Sequence, residues 1–168
     1  WNWEEARDFC TMCLSYIDVL FGIEPYHLWK DEQDHQTGDV KDGVPFQPDF
    51  KQQDEVFHGF VKRYPNIKCI ARHVRYAHSC SENSLMAYLW YDGKTYESQK
   101  LRFHILDRVG GGDAFVSGII YALMNEYKPQ DIADFGVAAS AVKHTIHGDG
   151  NITDDVSLIE HIMQMNFD

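Results

Sequence analysis

The chain has 168 residues, 44% of them hydrophobic and 14% aromatic, which suits one domain with a sizeable core rather than a disordered segment. A formal charge of −11 argues against non-specific binding to nucleic acid or an anionic membrane surface, while leaving room for a local basic pocket around a phosphorylated ligand. No apolar run approaches membrane-spanning length and no basic, apolar leader opens the chain, so the cytoplasm is the expected compartment.

A first helix is expected directly after Trp1, with Asn2 as its N-cap and Glu4 and Glu5 in its first turn. Trp3, Ala6, Cys10, Cys13, Leu14 and Ile17 fall on one apolar stripe, which makes Cys10 and Cys13 core neighbours. With Cys69 and Cys80 they show no zinc-site spacing, and the nine histidines form no His-Glu-x-x-His unit. No metal site is expected from the protein scaffold alone. Asp18 to Phe21 reads as a short buried strand, and Gly22-Ile23-Glu24-Pro25 as the turn after it. Residues 29–49 are polar and read as a long loop. A helix from about Phe50 to Tyr64 follows, with Val56, Phe57, Phe60, Val61 and Tyr64 on one face, and Pro65-Asn66 ends it.

Ile67 to Ala71 predicts the next strand, with Arg72-His73-Val74-Arg75 at its C-terminal end. Open α/β sheets bind ligands at strand ends, so Arg72 or Arg75 would reach a phosphate there, with an ordinary surface arginine as the alternative. Leu85 to Tyr91 and Lys94 to Glu97 flank Asp92-Gly93, a two-residue hairpin signal, and Leu101 to Leu106 adds a third strand.

That strand runs into Asp107-Arg108-Val109-Gly110-Gly111-Gly112-Asp113-Ala114-Phe115. Glycines let the backbone aim successive NH groups at one point, and a helix N-terminus adds unpaired NH groups and a positive dipole end. A phosphate would sit there, and Asp113 beside it would serve as the base that takes a proton from an attacking hydroxyl. The plainer alternative is a tight turn and a helix-terminal carboxylate. The helix itself is apolar nearly all round, from Ala114 to Met124, and is expected to be buried. Pro129 opens another helix, with Ile132, Phe135, Ala139, Val142 and Ile146 on one stripe, and Thr153 to Met165 a last amphipathic one.

The run from Asp107 to Phe115 resembles the second signature of the ribokinase-like (PfkB) carbohydrate kinases, Asp-Thr-x-Gly-Ala-Gly-Asp, in which the glycines build an anion hole and the last Asp is the base. Asp18-Val19-Leu20-Phe21-Gly22-Ile23-Glu24-Pro25-Tyr26 and Lys143-His144-Thr145-Ile146-His147-Gly148-Asp149-Gly150-Asn151 are similar to stretches of the 2-keto-3-deoxygluconate kinase branch. Arg108 stands where the commoner motif has threonine, and Gly111 where it has alanine.

The resemblance implies an α/β chain, the C-terminal half of a ribokinase-like fold, with a mainly parallel sheet flanked by helices and a short antiparallel strand set. It implies one domain over residues 1–168, with the sugar-binding half and lid absent. Its function would be ATP-dependent phosphorylation of a sugar-acid hydroxyl, with 2-dehydro-3-deoxygluconate going to its 6-phosphate. Asp113 would be the base, and Gly110, Gly111 and Gly112 would form the anion hole. Arg72 would meet the nucleotide, and Ala139, Lys143 and His144 would line the adenine pocket, close helix packing being the alternative for the small residues. Glu24 would reach Mg2+ through a water, with a solvated turn glutamate as the alternative, since Ile23 and Tyr26 break the family's Asn-x-x-Glu pattern there. The expected partners are ATP, a small sugar acid and a second copy of the chain in a homo-oligomer. A half that binds nucleotide without turnover is the alternative. A nicotinamide-binding unit fits poorly, for no Gly-x-Gly-x-x-Gly follows a first strand, and no Walker A sequence is present.

Overall fold

A computed structural model of the chain describes residues 2–22, 40–41, 44–45, 49–152 and 155–165. Along it run α1 (Trp3–Cys13), β1 (Val19–Phe21), β2 (Val40–Lys41), β3 (Val44–Pro45), α2 (Phe50–Arg63), β4 (Cys69–Ala77), β5 (Glu82–Tyr91), β6 (Lys94–Glu97), β7 (Leu101–His104), α3 (Gly111–Met124), α4 (Pro129–Lys143) and α5 (Val156–Gln164). The class is α/β and the main sheet is mixed. Its strand order is β1-β4-β5-β6, with β7 pairing β5, while β2 and β3 form a separate antiparallel pair. β1 lies parallel to β4, Val19 opposite Cys69, and β5 lies antiparallel to β7, Glu82 opposite His104. The antiparallel part is larger than the short set expected. Its source is visible in the backbone, since Asp92 and Gly93 take φ of 49° and 78°, the left-handed pair that folds β5 back into β6.

The chain divides into two compact units, Trp1–Arg72 with Trp90–Thr95, and His73–Leu89 with Tyr96–Asp168. In the first, Asn2 and Glu5 form a reciprocal capping box on α1, the Asn2 side chain accepting from Glu5 N at 2.8 Å and the Glu5 carboxylate from Asn2 N at 2.9 Å. The expected core stripe of α1 holds only in part. Leu14, just past the helix, is fully buried, yet Cys13 is exposed and Cys10 half-buried, with Phe9, Met12 and Tyr16 in solvent. A period of 3.6 shows which face of a helix is apolar but not whether anything lies against it. Asn66 Nδ2 donates to the Leu14 and Ile17 carbonyls at 2.9 and 2.8 Å, and Asp49 caps α2 by accepting from Gln52 N at 2.8 Å. Phe57, Phe60, Leu20, Ile67 and Ile70 are buried in this unit.

In the second unit α4 is the central element, packed against α3, α5 and β7. Every residue of α4 from Ile132 to Lys143 is buried. It meets α3 at small residues: a Cβ added to Gly118 would stand 2.9 Å from the Ala139 methyl, and one added to Gly136 would stand 2.6 Å from Ile119 Cδ1. α3 is covered on one side only. Phe115, Gly118, Ile119 and Ala122 are buried, whereas Ile120, Tyr121 and Met124 are exposed, so the full burial expected from its composition is not met. β4 also runs past the apolar segment that marks it, to Ala77. Val74 points inward while His73 and Arg75 point out, an alternation that carries Arg72 and Arg75 inside the strand instead of beyond its end. Among the described residues no helix is long and apolar enough to cross a membrane.

Candidate anion site at the start of helix α3

β7 ends at His104, and the chain crosses to α3 through Ile105 to Gly110. This crossing is fastened to the end of α4, because Leu106 N and Asp107 N donate to the His144 carbonyl at 2.8 and 3.2 Å. Gly110 turns the chain into the helix at φ +79°, a left-handed conformation that favours glycine. No side chain caps α3. The Gly111 NH bends back to the Arg108 carbonyl at 3.3 Å, and the helical ladder starts with Ala114 N on the Gly110 carbonyl at 2.9 Å. Among the described residues the NH groups of Gly112 and Asp113 meet no acceptor, so the positive end of a 14-residue helix opens to solvent at this point.

The three glycines stand in different surroundings. A Cβ on Gly110 would stand 2.7 Å from the Asp149 carbonyl oxygen and 3.0 Å from Lys143 Cε. One on Gly111 would stand 2.4 Å from His144 Cε1, inside the imidazole's contact surface. Around Gly112 there is nothing within 4 Å. The fold therefore explains the first two glycines, and open space lies over the third. That space, faced by two unspent NH groups, is the cradle a tetrahedral anion fits.

Beneath the cradle is a brace made by the end of α4 and residues 144–149. Ser140 Oγ donates to the Gly111 carbonyl at 2.8 Å, and His144 Nδ1 donates to the Ser140 carbonyl at 2.7 Å. Burial holds the His144 imidazole below its ordinary pKa, and the charges of Arg75, Lys143 and Arg108 push the same way. Lys143 is wholly buried, its ammonium donating to the carbonyls of Ile146 at 3.1 Å and Gly148 at 2.6 Å. Asp107 accepts from Val109 N at 3.1 Å and from Gly148 N at 2.8 Å. These two bonds hold its carboxyl below the usual carboxylate range, with a smaller contribution from Lys143. Arg108 reaches away, donating to the Cys80 carbonyl at 3.0 Å.

Of the residues expected at a site, Gly110, Gly111, Gly112, Asp113, Lys143 and His144 meet around this loop. Asp113 is exposed in the first turn of α3. Ala139 is buried against Gly118 on the face of α4 that meets α3. Arg72 belongs to the other unit, where its Nη1 donates to Gln53 Oε1 at 2.9 Å. Glu24, with Ile23 and Tyr26, lies outside the described residues. Asp107, Ser140 and Gly148 were not singled out from the sequence, although Asp107 opens the first quoted run and Gly148 falls in the late one. A separate apolar pocket of about 250 Å³ lies between β7, α4 and α5, lined by Leu101, Phe103, Val142, Thr145, Leu158 and Ile162 among others. Among the described residues no group of three or more His, Cys, Asp or Glu side chains is placed to hold a metal ion.

The model of the pfkB family carbohydrate kinases matches residues 87–155, which take in the loop, α3, α4 and the brace. The crystal structure of 2-dehydro-3-deoxygluconokinase from Thermotoga maritima superposes with a TM-score of 0.80 at 26% identity, covering 97% of this chain and 47% of that one. A 5-dehydro-2-deoxygluconokinase of Clostridium botulinum is 31% identical over 71 residues, 42% of this chain and 20% of the relative. A 2-dehydro-3-deoxygalactonokinase of Haloferax volcanii is 25% identical over 150 residues, 89% of this chain and 39% of the relative. The chain thus spans less than half the length of each.

Proposed function

We propose that the chain belongs to the PfkB carbohydrate kinases, in the branch of the 2-keto-3-deoxygluconate kinases, and that it is the nucleotide-binding and catalytic-base half of an ATP-dependent sugar-acid kinase. The observation that carries this reading is the open N-terminus of α3 at Gly112 and Asp113. A chain of net charge −11 gathers Arg75, Arg108 and Lys143 near this cradle, where their fields converge on His144.

Kinases of this family use ATP with a divalent metal, which supply the phosphoryl group and offset its charge. The residues fit that chemistry. Asp113 accepts the proton of the attacking hydroxyl, and the Gly112 and Asp113 NH groups stabilise charge developing on the equatorial oxygens. Gly110 and Gly111 shape the turn that aims them. A metal ion held chiefly by phosphates and water needs few protein ligands, and Glu24 would approach it through water. His144 and Lys143 border the apolar pocket's Val142 and Thr145 in sequence, and the base of the nucleotide would lie against that pocket. The substrate is the 6-hydroxyl of 2-dehydro-3-deoxygluconate, in keeping with relatives whose names all denote kinases of deoxygenated keto sugar acids. A cytoplasmic location and a homo-oligomeric assembly complete the proposal.

A second reading rests on the same open helix end, which needs no sugar site in order to hold a phosphate. On that reading it binds nucleotide without turning sugar over. Isothermal titration with Mg-ATP, followed by a coupled assay with 2-dehydro-3-deoxygluconate, separates the two. Binding with turnover that falls roughly 100- to 10,000-fold in Asp113→Asn supports the kinase. Binding without turnover supports the second reading, and a folded sample that does not bind Mg-ATP refutes both.

A further inference from the structure

Lys143 is the one lysine among the described residues with a fully buried side chain, and a buried ammonium is costly unless its bonds are made. Its bonds go neither to a carboxylate nor to solvent. They go to the carbonyls of Ile146 and Gly148, which curl the chain after α4 into a turn. The NH of the same residue, Gly148, donates to Oδ2 of Asp107 at 2.8 Å, and Oδ1 of Asp107 takes the NH of Val109 at 3.1 Å, one residue before the glycines. Gly148 adopts φ +78°, a left-handed conformation in which its carbonyl faces the ammonium while its NH faces the carboxylate. Lys143 Cε also lies 3.0 Å from where a Gly110 Cβ would be, so the stem of the side chain forms the floor under the turn.

We infer that Lys143 is a positioning residue of the anion site, acting through Gly148 and Asp107 to fix the Val109–Gly112 backbone so that the Gly112 and Asp113 NH groups converge on one point. It touches no reacting group. Its effect is transmitted through two charge-assisted bonds to one residue, Gly148, and it is stronger than a neutral brace would give because both ends of the relay carry charge. The chain thereby places a positive charge behind the cradle while leaving the cradle itself lined by backbone. The nucleotide-binding test of this inference rests on the kinase reading above.

The experiment uses the 168-residue chain with Lys143→Met, Asp107→Asn and the double variant. Amide hydrogen exchange without ligand is read first, and Mg-ATP titration second. The relay predicts faster exchange at the Gly148 and Val109 amides in each single variant, with amides in the middle of α4 unchanged. It predicts Mg-ATP binding weakened roughly 10- to 100-fold by Lys143→Met, as expected for losing a hydrogen bond to a charged group. Because both side chains act through one residue, Gly148, the double variant should bind no more weakly than Lys143→Met alone. Exchange at Val109 that is unchanged in both single variants overturns the inference, as do losses of affinity that multiply. If Lys143→Met fails to fold, Asp107→Asn, at a surface position, decides by the same exchange readout. If the parent chain does not bind Mg-ATP yet the Val109 exchange responds, the relay stands and the kinase reading is what fails.

Discussion

The β7–α3 loop has an inner face and an outer face, and three adjacent glycines divide between them. Gly110 and Gly111 lie against Asp149, Lys143 and His144, so their missing side chains are accounted for by the protein itself. Gly112 faces open space, and nothing among the described residues accounts for its missing side chain. Three identical residues in sequence thus have two physical meanings, and only the packing behind them tells which is which. Inner-face changes should cost stability first, and outer-face changes should cost binding with the fold intact.

Gly111→Ala and Gly112→Ala test that division with the largest expected effects. In Gly111→Ala the new methyl would sit 2.4 Å from His144 Cε1, and the ring is pinned by its bond to the Ser140 carbonyl and by Phe103, 5.1 Å away centroid to centroid. Forcing the ring aside is expected to lower stability by about 1–3 kcal/mol in urea unfolding. Gly112→Ala meets nothing and lies at an ordinary helical position, so stability should hold or rise by about 0.4–1 kcal/mol through the unfolded chain's lost freedom. Its methyl would stand in the cradle, and Mg-ATP affinity should drop. Equal destabilisation by the two substitutions would abolish the distinction between the faces.

A smaller effect is expected from Ser140→Ala, which removes the donor to the Gly111 carbonyl and leaves that buried acceptor unmet. The expected loss is about 1 kcal/mol, seen as a lower urea midpoint with an unchanged slope. A midpoint equal to the parent's would show that the inner face is held by His144 and the backbone alone.

Much of this was legible in the sequence because it is local. The capping box at Asn2, the hairpin at Asp92-Gly93, α2 ending before Pro65 and the strand-glycine-helix passage each depend on a few neighbouring residues. The loop's two faces were not legible, since His144 and Asp149 lie more than thirty residues beyond the glycines they pack on. Lys143 invites reading as a ligand-binding cation, and only the turn after α4 shows its ammonium committed to Ile146 and Gly148. The apolar faces of α1 and α3 misled in the same way, because burial needs a partner surface that periodicity does not supply. β4 outran its apolar run because Arg72 and Arg75 look like strand-end residues until the alternation about Val74 is seen.

The most gradual test of the inner face is its response to acid. His144 is buried beside Gly111, donates to the Ser140 carbonyl, and has a pKa held below the ordinary value by burial and then by the charges of Arg75, Lys143 and Arg108. In the unfolded chain the imidazole titrates near about 6.5. Between that value and its lower folded value the unfolded state binds the proton and the folded state does not, so stability is fully present above about pH 6.5 and is lost as pH falls through this window. Below the folded pKa both states are protonated and this contribution stops changing. Urea midpoints measured from pH 8 to 5 should therefore fall on the acid side, and His144→Gln should flatten that fall even though its own midpoint is lower throughout. A variant whose midpoints run parallel to the parent's across the window would show that the imidazole beneath the loop is free to take up a proton, and that the inner face is more open than its packing indicates.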